Sequence, residues 1–386
     1  MNILIVGGGF GGVKAALELS KHDKNNITLI SKDDNFQYYP TLFSTATGHD
    51  YRESWVPLAT IFQGISNVDI VIAEATSIDT TARIVTTNTG DHFSYTKAIL
   101  ALGSTTTYFG IKGLDVYSYG IKSEEEIRKF QSHLWDEMSD GSDDEKNYVI
   151  IGGGPTGVEL AGALGEYLRV LRKHFGIRKK TLRISLIEAA PRLLPRLSEQ
   201  TSARAMHRLR KLGIHVEVGK KVEKQTIDEL IVNGRPIKTQ TVVWTSGVMN
   251  VPFYEQNVGQ FQLNERGKVV VNEYMQSSEH VYVIGDNAAT PHSGLAQTAL
   301  HDALFVSSHI RGRRKPYKAQ LPPCVIPIGY RWALFEWGKL RFGGWLGYFM
   351  HRMANLIGYH DVLPISWSLN VWHAGSKKQM RIPDDI

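Results

Sequence analysis

Apolar and polar residues fall into blocks along this chain, and one block pattern occurs twice. Ile3-Leu4-Ile5-Val6 is an unbroken apolar run of the kind a buried strand shows, so a strand is expected over residues 2–6. A glycine turn follows, then helical spacing over about residues 11–22, then a second apolar strand, NITLIS (26–31). Further strands are predicted in DIVIAEATSI (69–78), ARIVTTNTG (82–90) and HFSYTKAILALGS (92–104). The helical segment SEEEIRKFQSHLWDEM (123–138) opens with Ser123 and Glu126 at capping-box spacing. Beyond a polar linker, SDGSDDEKN (139–147), the first pattern returns: YVIIGGGPTG (148–157), a helix from about Val158, then LRISLIE (182–188). QTVVWTSG (240–247), GKVVVNEYMQ (267–276) and HVYVIGDNA (280–288) are the later strand candidates. Strands alternating with helices predict an α/β fold of doubly wound parallel sheets.

Each repeated unit carries one glycine spacing: Gly7-x-Gly9-x-x-Gly12 and Gly152-x-Gly154-x-x-Gly157. In such a turn the first glycine permits the bend and the second lets backbone approach a pyrophosphate. The third lets helix pack closely on strand. N–H groups at the helix start then meet phosphate charge, aided by the helix dipole. One copy is a weak signal, since glycine turns between strand and helix are common; two, each directly after an apolar strand, are stronger. The strand ends separate the two sites. Glu188 closes LRISLIE and is placed to accept hydrogen bonds from a ribose diol. It would repel a 2′-phosphate, which favours NADH over NADPH, although Arg192 and Arg196 lie near enough to soften that preference. The first unit has Ser31 at the equivalent position. Two dinucleotide sites imply two dinucleotides, most economically a nicotinamide and a flavin that exchange electrons.

Composition narrows the picture. An apolar content of 42% and a charged content of 21% over 386 residues suit an ordinary globular chain of about two or three domains. Met1 runs straight into strand, with no basic leader or cleavage site, and no apolar run reaches the roughly 18 residues of a spanning helix. The single cysteine, Cys324, excludes an internal disulfide or a CxxC dithiol and fits a reducing compartment. No metal cluster is expected. The net charge of +6 is uneven: between Val306 and Ile382, twelve Lys/Arg face only Glu336 and Asp361, a local +10 that leaves −4 elsewhere. Five of eight tryptophans also lie within Trp332–Trp372. In that region Trp345, Phe349, Met353 and Leu356/Ile357 recur at helical spacing, with His351, Arg352 and Asn355 off the stripe. Such a stripe suits core packing or a helix lying in a bilayer interface, where each nearby basic residue adds about 1 kcal/mol on anionic lipid. No nucleic-acid recognition motif accompanies it.

ILIVGGGFGGVKAA, YYPTLFSTATG, ILALGS, VIIGGGPTGVELAGAL, WTSGV, VYVIGDNA and AQTALHDA together resemble the two-dinucleotide-binding-domain flavoproteins, and most closely the type II NADH dehydrogenases (NADH:quinone oxidoreductases). The resemblance covers residues 1–310 well and the tail loosely. It implies two Rossmann-like domains, the NADH domain (114–250) inserted in an FAD domain (1–113 and 251–320), with residues 321–386 as a membrane-association region. It places FAD against Gly7, Gly9, Phe10, Gly11, Gly12, Ser31, Lys32, Gly103, Asp286 and Gln297. NADH falls to Gly152, Gly154, Pro155, Thr156, Gly157, Glu188 and Gly247. Asp286 ends the second FAD signature, where its carboxylate would bond the ribityl chain. Leu102 stands in the Thr place of the family's Ala-Thr-Gly crossover.

Three residues are catalytic candidates. Glu159, expected in the first turn of its helix, either suits the positive helix end or faces nicotinamide and flavin. Gln297 matches the family's quinone signature, but His301 replaces its second Gln. Spacing of four puts both on one helical face, and an imidazole titrates near neutrality, so His301 is either a proton donor or an ordinary packed histidine. The expected activity is hydride transfer from NADH to FAD, then two electrons to a quinone, without ion pumping. The expected place is peripheral, on the cytoplasmic face of the cell membrane, with a homodimer left open. A soluble NAD(P)H-dependent reductase of a ferredoxin- or rubredoxin-like acceptor, or a non-catalytic NADH-sensing flavoprotein, are the rivals. Sulfide:quinone and disulfide reductases need cysteines that Cys324 alone does not supply.

Overall fold

The computed structural model describes residues 1–140, 146–177 and 182–375. The linker segment 141–145 and the basic residues Lys377, Lys378 and Arg381 lie outside the described residues. The first unit starts with β1 (Asn2–Val6), α1 (Phe10–Ser20) and β2 (Asn26–Ser31). Ile3, Leu4, Ile5 and Val6 are at most 2% exposed, because a central parallel strand is covered on both faces. β3 (Val68–Ile72) and β4 (Lys97–Leu100) flank this pair, with β2 beside β3 and β1 beside β4. Ala75–Asp79, Ile84–Thr87 and His92–Ser94 form a separate antiparallel meander, so DIVIAEATSI divides between two sheets and HFSYTKAILALGS among three.

α2 (Glu124–Ser139) carries the expected capping box: Ser123 Oγ accepts the Glu126 N–H at 3.1 Å and Glu126 Oε2 accepts the Ser123 N–H at 3.3 Å. The second unit follows, with β5 (Lys146–Ile151), α3 (Pro155–His174), β6 (Leu182–Glu188), α4 (Glu199–Lys211), β7 (His215–Val218) and β8 (Thr241–Trp244). Its parallel sheet has the order β7-β6-β5-β8. The chain then returns to the first sheet. β9 (Gln276–Ser278) and β10 (Val281–Val283) complete the order β9-β10-β4-β1-β2-β3, parallel except at the β9 edge, and α5 (Ala296–Ile310) packs beside α1. GKVVVNEYMQ is not a strand through most of its length: Val269 makes single bridges to Leu263 and Ala288, and residues 272–275 turn.

The tail forms an antiparallel sheet of β11 (Cys324–Pro327), β12 (Ala333–Trp337) and β13 (Leu340–Gly344), then α6 (Trp345–His360) and α7 (Ile365–Ala374). It clasps both units. A Cβ on Gly162 of α3 would lie 2.7 Å from the Gly329 nitrogen, so only glycine allows that approach. On the other side Tyr359 lies against Tyr38, ring centroids 4.2 Å apart, and donates to the Glu53 carbonyl at 2.9 Å. α6 is inverted relative to a core helix. Its buried positions are Gly347, Asn355 and Tyr359, whereas Trp345, Leu346, Phe349 and Ile357 are exposed. The apolar stripe therefore does not serve core packing. Among the described residues no helix is long and apolar enough to cross a membrane.

Candidate active site

β1, β4 and β10 end together, with Val6 opposite Leu100 and Leu100 opposite Val283. Gly7, Gly103 and Asp286 consequently gather at one carboxyl edge, where α/β sheets bind ligands. Gly7 has φ +116°, and a Cβ on Gly12 would sit 1.8 Å from the Gly7 oxygen, so helix and turn close only with glycine. Gly9 differs: nothing lies within 4 Å of where its Cβ would be. It caps α1 without a side-chain hydrogen bond, and no acid occupies the first turn. The N–H groups of Phe10, Gly11 and Gly12 are left for a ligand at a positive helix end, which suits a pyrophosphate. The Phe10 ring is buried edge-on to Phe36 at 5.0 Å. Ser31 is buried and donates to the Asp33 carbonyl at 2.6 Å, while Lys32 pairs with Glu74 at the surface at 3.3 Å. Asp286 is oriented by Ser104 Oγ at 2.8 Å, and Asn287 Oδ1 accepts the Gly103 N–H at 2.9 Å. This cradle fits a dinucleotide.

The second cradle repeats the first. Ile151 pairs with Ile187 and Trp244, so Gly152, Glu188 and Gly247 share an edge. Gly152 has φ +117°, a Cβ on Gly157 would sit 1.9 Å from the Gly152 oxygen, and the space at Gly154 is open. Pro155 and Thr156 form the first helical positions, uncapped and without an acid. Glu188 accepts the N–H groups of Gly153 at 2.5 Å and Ala190 at 2.6 Å. Arg192 spends its guanidinium on the carbonyls of Leu194, Leu197 and Pro195, and the Arg196 guanidinium lies near Gly294 of the first unit. Arg192 is thus held away from any 2′-phosphate that Glu188 would repel.

The two edges face each other through a short ribbon. Ser104–Thr106, leaving β4, pairs antiparallel with Val248–Asn250, leaving β8. Near this junction α5 presents Gln297, exposed in its first turn, and His301, whose Nε2–H donates to the Lys318 carbonyl at 3.1 Å beside the Tyr317 ring. Of the pair, Gln297 is free to meet a ligand and His301 is already engaged. Sequence reasoning missed Asp302, fully buried, which accepts the Gly285 N–H at 3.0 Å and the Tyr317 hydroxyl at 2.6 Å. Its signal was the one acid of α5, at a position in register with Ala299, Ala303 and Val306. Burial raises its pKa, against the two hydrogen bonds. It braces the turn that carries Asp286.

Glu159 corrects an expectation. It is the fifth residue of α3, beyond the first turn, so it does not offset the helix end. Burial alone raises its pKa well above the ordinary carboxylate value, and among the described residues no cation pairs with it. Cys324 is close enough to feel it, and burial, Glu159 and Glu336 push that thiol up to about 12, leaving it protonated and unreactive.

Comparison with known proteins agrees with this layout. Residues 1–303 match the family described as pyridine nucleotide-disulphide oxidoreductase. The whole chain aligns at 28% identity with 90% of the type II NADH:quinone oxidoreductase NdhA of Mycobacterium tuberculosis. The corresponding enzyme of Staphylococcus saprophyticus is 29% identical over 74% of both chains. In fold, NDH2 of Plasmodium falciparum, solved with NADH, superposes with a TM-score of 0.87 over 97% of each chain at 16% identity. The sulfide:quinone oxidoreductase of Aquifex aeolicus does so at 0.78 over 97% of this chain and 92% of its own, at 20% identity.

Proposed function

Because the chain belongs to the pyridine nucleotide-disulphide oxidoreductase family, we propose that it is an FAD-dependent NADH:quinone oxidoreductase. The observation that carries this is the pair of uncapped glycine cradles whose carboxyl edges meet across the Ser104–Thr106 and Val248–Asn250 ribbon. Bound FAD supplies the electron chemistry, taking hydride from NADH and giving two electrons to a quinone. The protein supplies place and charge. α1 and its Gly7–Gly12 turn hold the FAD pyrophosphate, and Asp286, fixed by Ser104 and braced through Asp302, accepts from the ribityl hydroxyls. α3 and the Gly152–Gly157 turn hold NADH, with Glu188 on the adenosine ribose.

Burial raises the Glu159 carboxyl above its ordinary pKa, which favours the neutral acid beside a nicotinamide. Gln297 donates its amide to the quinone headgroup. The Lys318 carbonyl holds the His301 ring in place through Nε2.

Residues 1–113 with 251–320 form the FAD unit, 114–250 the NADH unit and 321–386 a membrane-docking unit. The outward apolar face of α6, with Trp367 and Leu369 of α7 and Trp337 and Leu340 of the tail sheet exposed as well, suits a helix pair lying in a bilayer interface. The basic tail favours anionic lipid. On this reading the enzyme lies peripherally on the cytoplasmic face of the cell membrane, next to its lipid-soluble substrate. Steady-state NADH oxidation separates the alternatives. Turnover with a short-chain quinone, raised by a lipid-soluble quinone in anionic vesicles, supports the proposal. Turnover only with a small iron–sulfur protein would replace it.

A further inference from the structure

Lys122 stands where the two cradles meet, and neither glycine turn accounts for it. Its backbone is clamped from two sides. The Gln37 side-chain amide, from the strand Asn35–Gln37 of the first unit, donates to the Lys122 carbonyl, and the Lys122 N–H donates to Glu126 Oε2 at 2.6 Å. The side chain reaches the Gly247 carbonyl, with Nζ 3.5 Å from the oxygen. An ammonium has three donors. Among the described residues Lys122 commits one of them, to a long bond, and has no carboxylate within ion-pair distance.

Burial lowers its pKa, opposed by Glu126 and Asp286. Gln37 follows Phe36, whose ring packs against Phe10 of the first glycine turn at 5.0 Å, so the clamp holds Lys122 beside that cradle. A partly buried cation with uncommitted donors is costly unless a ligand supplies acceptors.

We propose that Lys122 is a further catalytic residue, a cation that turns its two uncommitted donors to the reacting ring of bound flavin and raises its affinity for electrons. The proposal rests on the flavin–nicotinamide reading of the cleft. Hydride transfer moves two electrons and one proton from NADH to flavin, leaving NAD⁺ and an anionic reduced flavin. A fixed cation favours the second product and opposes the first. The Gln37 clamp ties Lys122 to the flavin-holding unit, where its charge assists the reaction.

The test uses the full-length, FAD-loaded protein and its K122M and K122R variants. Flavin content, thermal midpoint and flavin midpoint potential are measured for each. K122M keeps its flavin and its thermal midpoint, but its equilibrium constant for reduction falls about tenfold, ~30 mV for a two-electron couple. K122R recovers most of that. If K122M loses flavin, K122Q read in the same way decides. A coloured wild type with an unshifted potential in the charge-removing variant would overturn this role alone. A wild type that takes up no flavin would overturn both the role and the reading of the cleft.

Discussion

Glu188 accepts the backbone N–H of Gly153 at 2.5 Å, so the acid ending β6 is tied to the glycine turn ending β5. Its orientation is fixed before any nucleotide arrives, and Arg192 is bound to three carbonyls. Glu188→Gln should lower kcat/KM for NADH about 10–100-fold, because hydrogen bonds to charged groups contribute about 1.5–3 kcal/mol. It should raise kcat/KM for NADPH by relieving repulsion. Measuring both constants checks this, and an unchanged NADPH:NADH ratio would remove Glu188 from the ribose site.

Gly12 and Gly157 are equivalent in geometry, and the proposed function gives them different ligands. Alanine at either position puts a methyl group against a carbonyl oxygen, and relief by backbone shift costs roughly 1–3 kcal/mol. Gly12→Ala should purify with little or no flavin. Gly157→Ala should keep its colour but require at least tenfold more NADH for half-maximal bleaching. Flavin content and an NADH titration distinguish the two, and a colourless Gly157→Ala would contradict the assignment.

Glu159 makes stability depend on pH. Its folded-state pKa lies well above the unfolded value, and the cause is burial. Below the unfolded pKa both states hold the proton and nothing is lost. As pH rises from there toward the folded pKa, the unfolded chain releases its proton first and stability falls. Glu159→Gln should therefore raise the thermal midpoint at pH 8 and leave it nearly unchanged at pH 4. Melting curves at both values check the sign, and equal shifts would mean that the carboxyl is ionised in the folded state.

The outward face of α6 separates lipid binding from folding. Replacing Trp345, Phe349 and Ile357 together with serine removes three exposed apolar groups. At about 1 kcal/mol each for partial burial in a bilayer, binding to anionic vesicles should weaken on the order of a hundredfold. The thermal midpoint should stay within about 2 °C. Vesicle co-sedimentation and melting test this, and retained binding would mean that lipid is met elsewhere.

Local chemistry made much of this legible in the sequence. The strand–glycine–helix units needed only apolar periodicity and one spacing, and Ser123 with Glu126 announced the start of α2. What depended on tertiary partners did not show. Nothing in GKVVVNEYMQ reveals that Val269 bridges Leu263 and Ala288 singly instead of joining a sheet. The stripe on α6 is visible, but which side faces the protein depends on Tyr38 and Ala333, far away in sequence. His301 looked free because Lys318 turns back onto it only in the fold. Lys122 and Asp302 gain meaning from Gly247 and Gly285, each brought near by a different sheet.

The most direct measurement is an anaerobic visible-spectrum titration of the FAD-loaded chain. One equivalent of NADH should bleach the oxidised-flavin band, and one equivalent of short-chain quinone should restore it. A chain that stays colourless after incubation with FAD, or a coloured one whose band NADH leaves untouched, would contradict the central claim that the facing cradles bring two dinucleotides together.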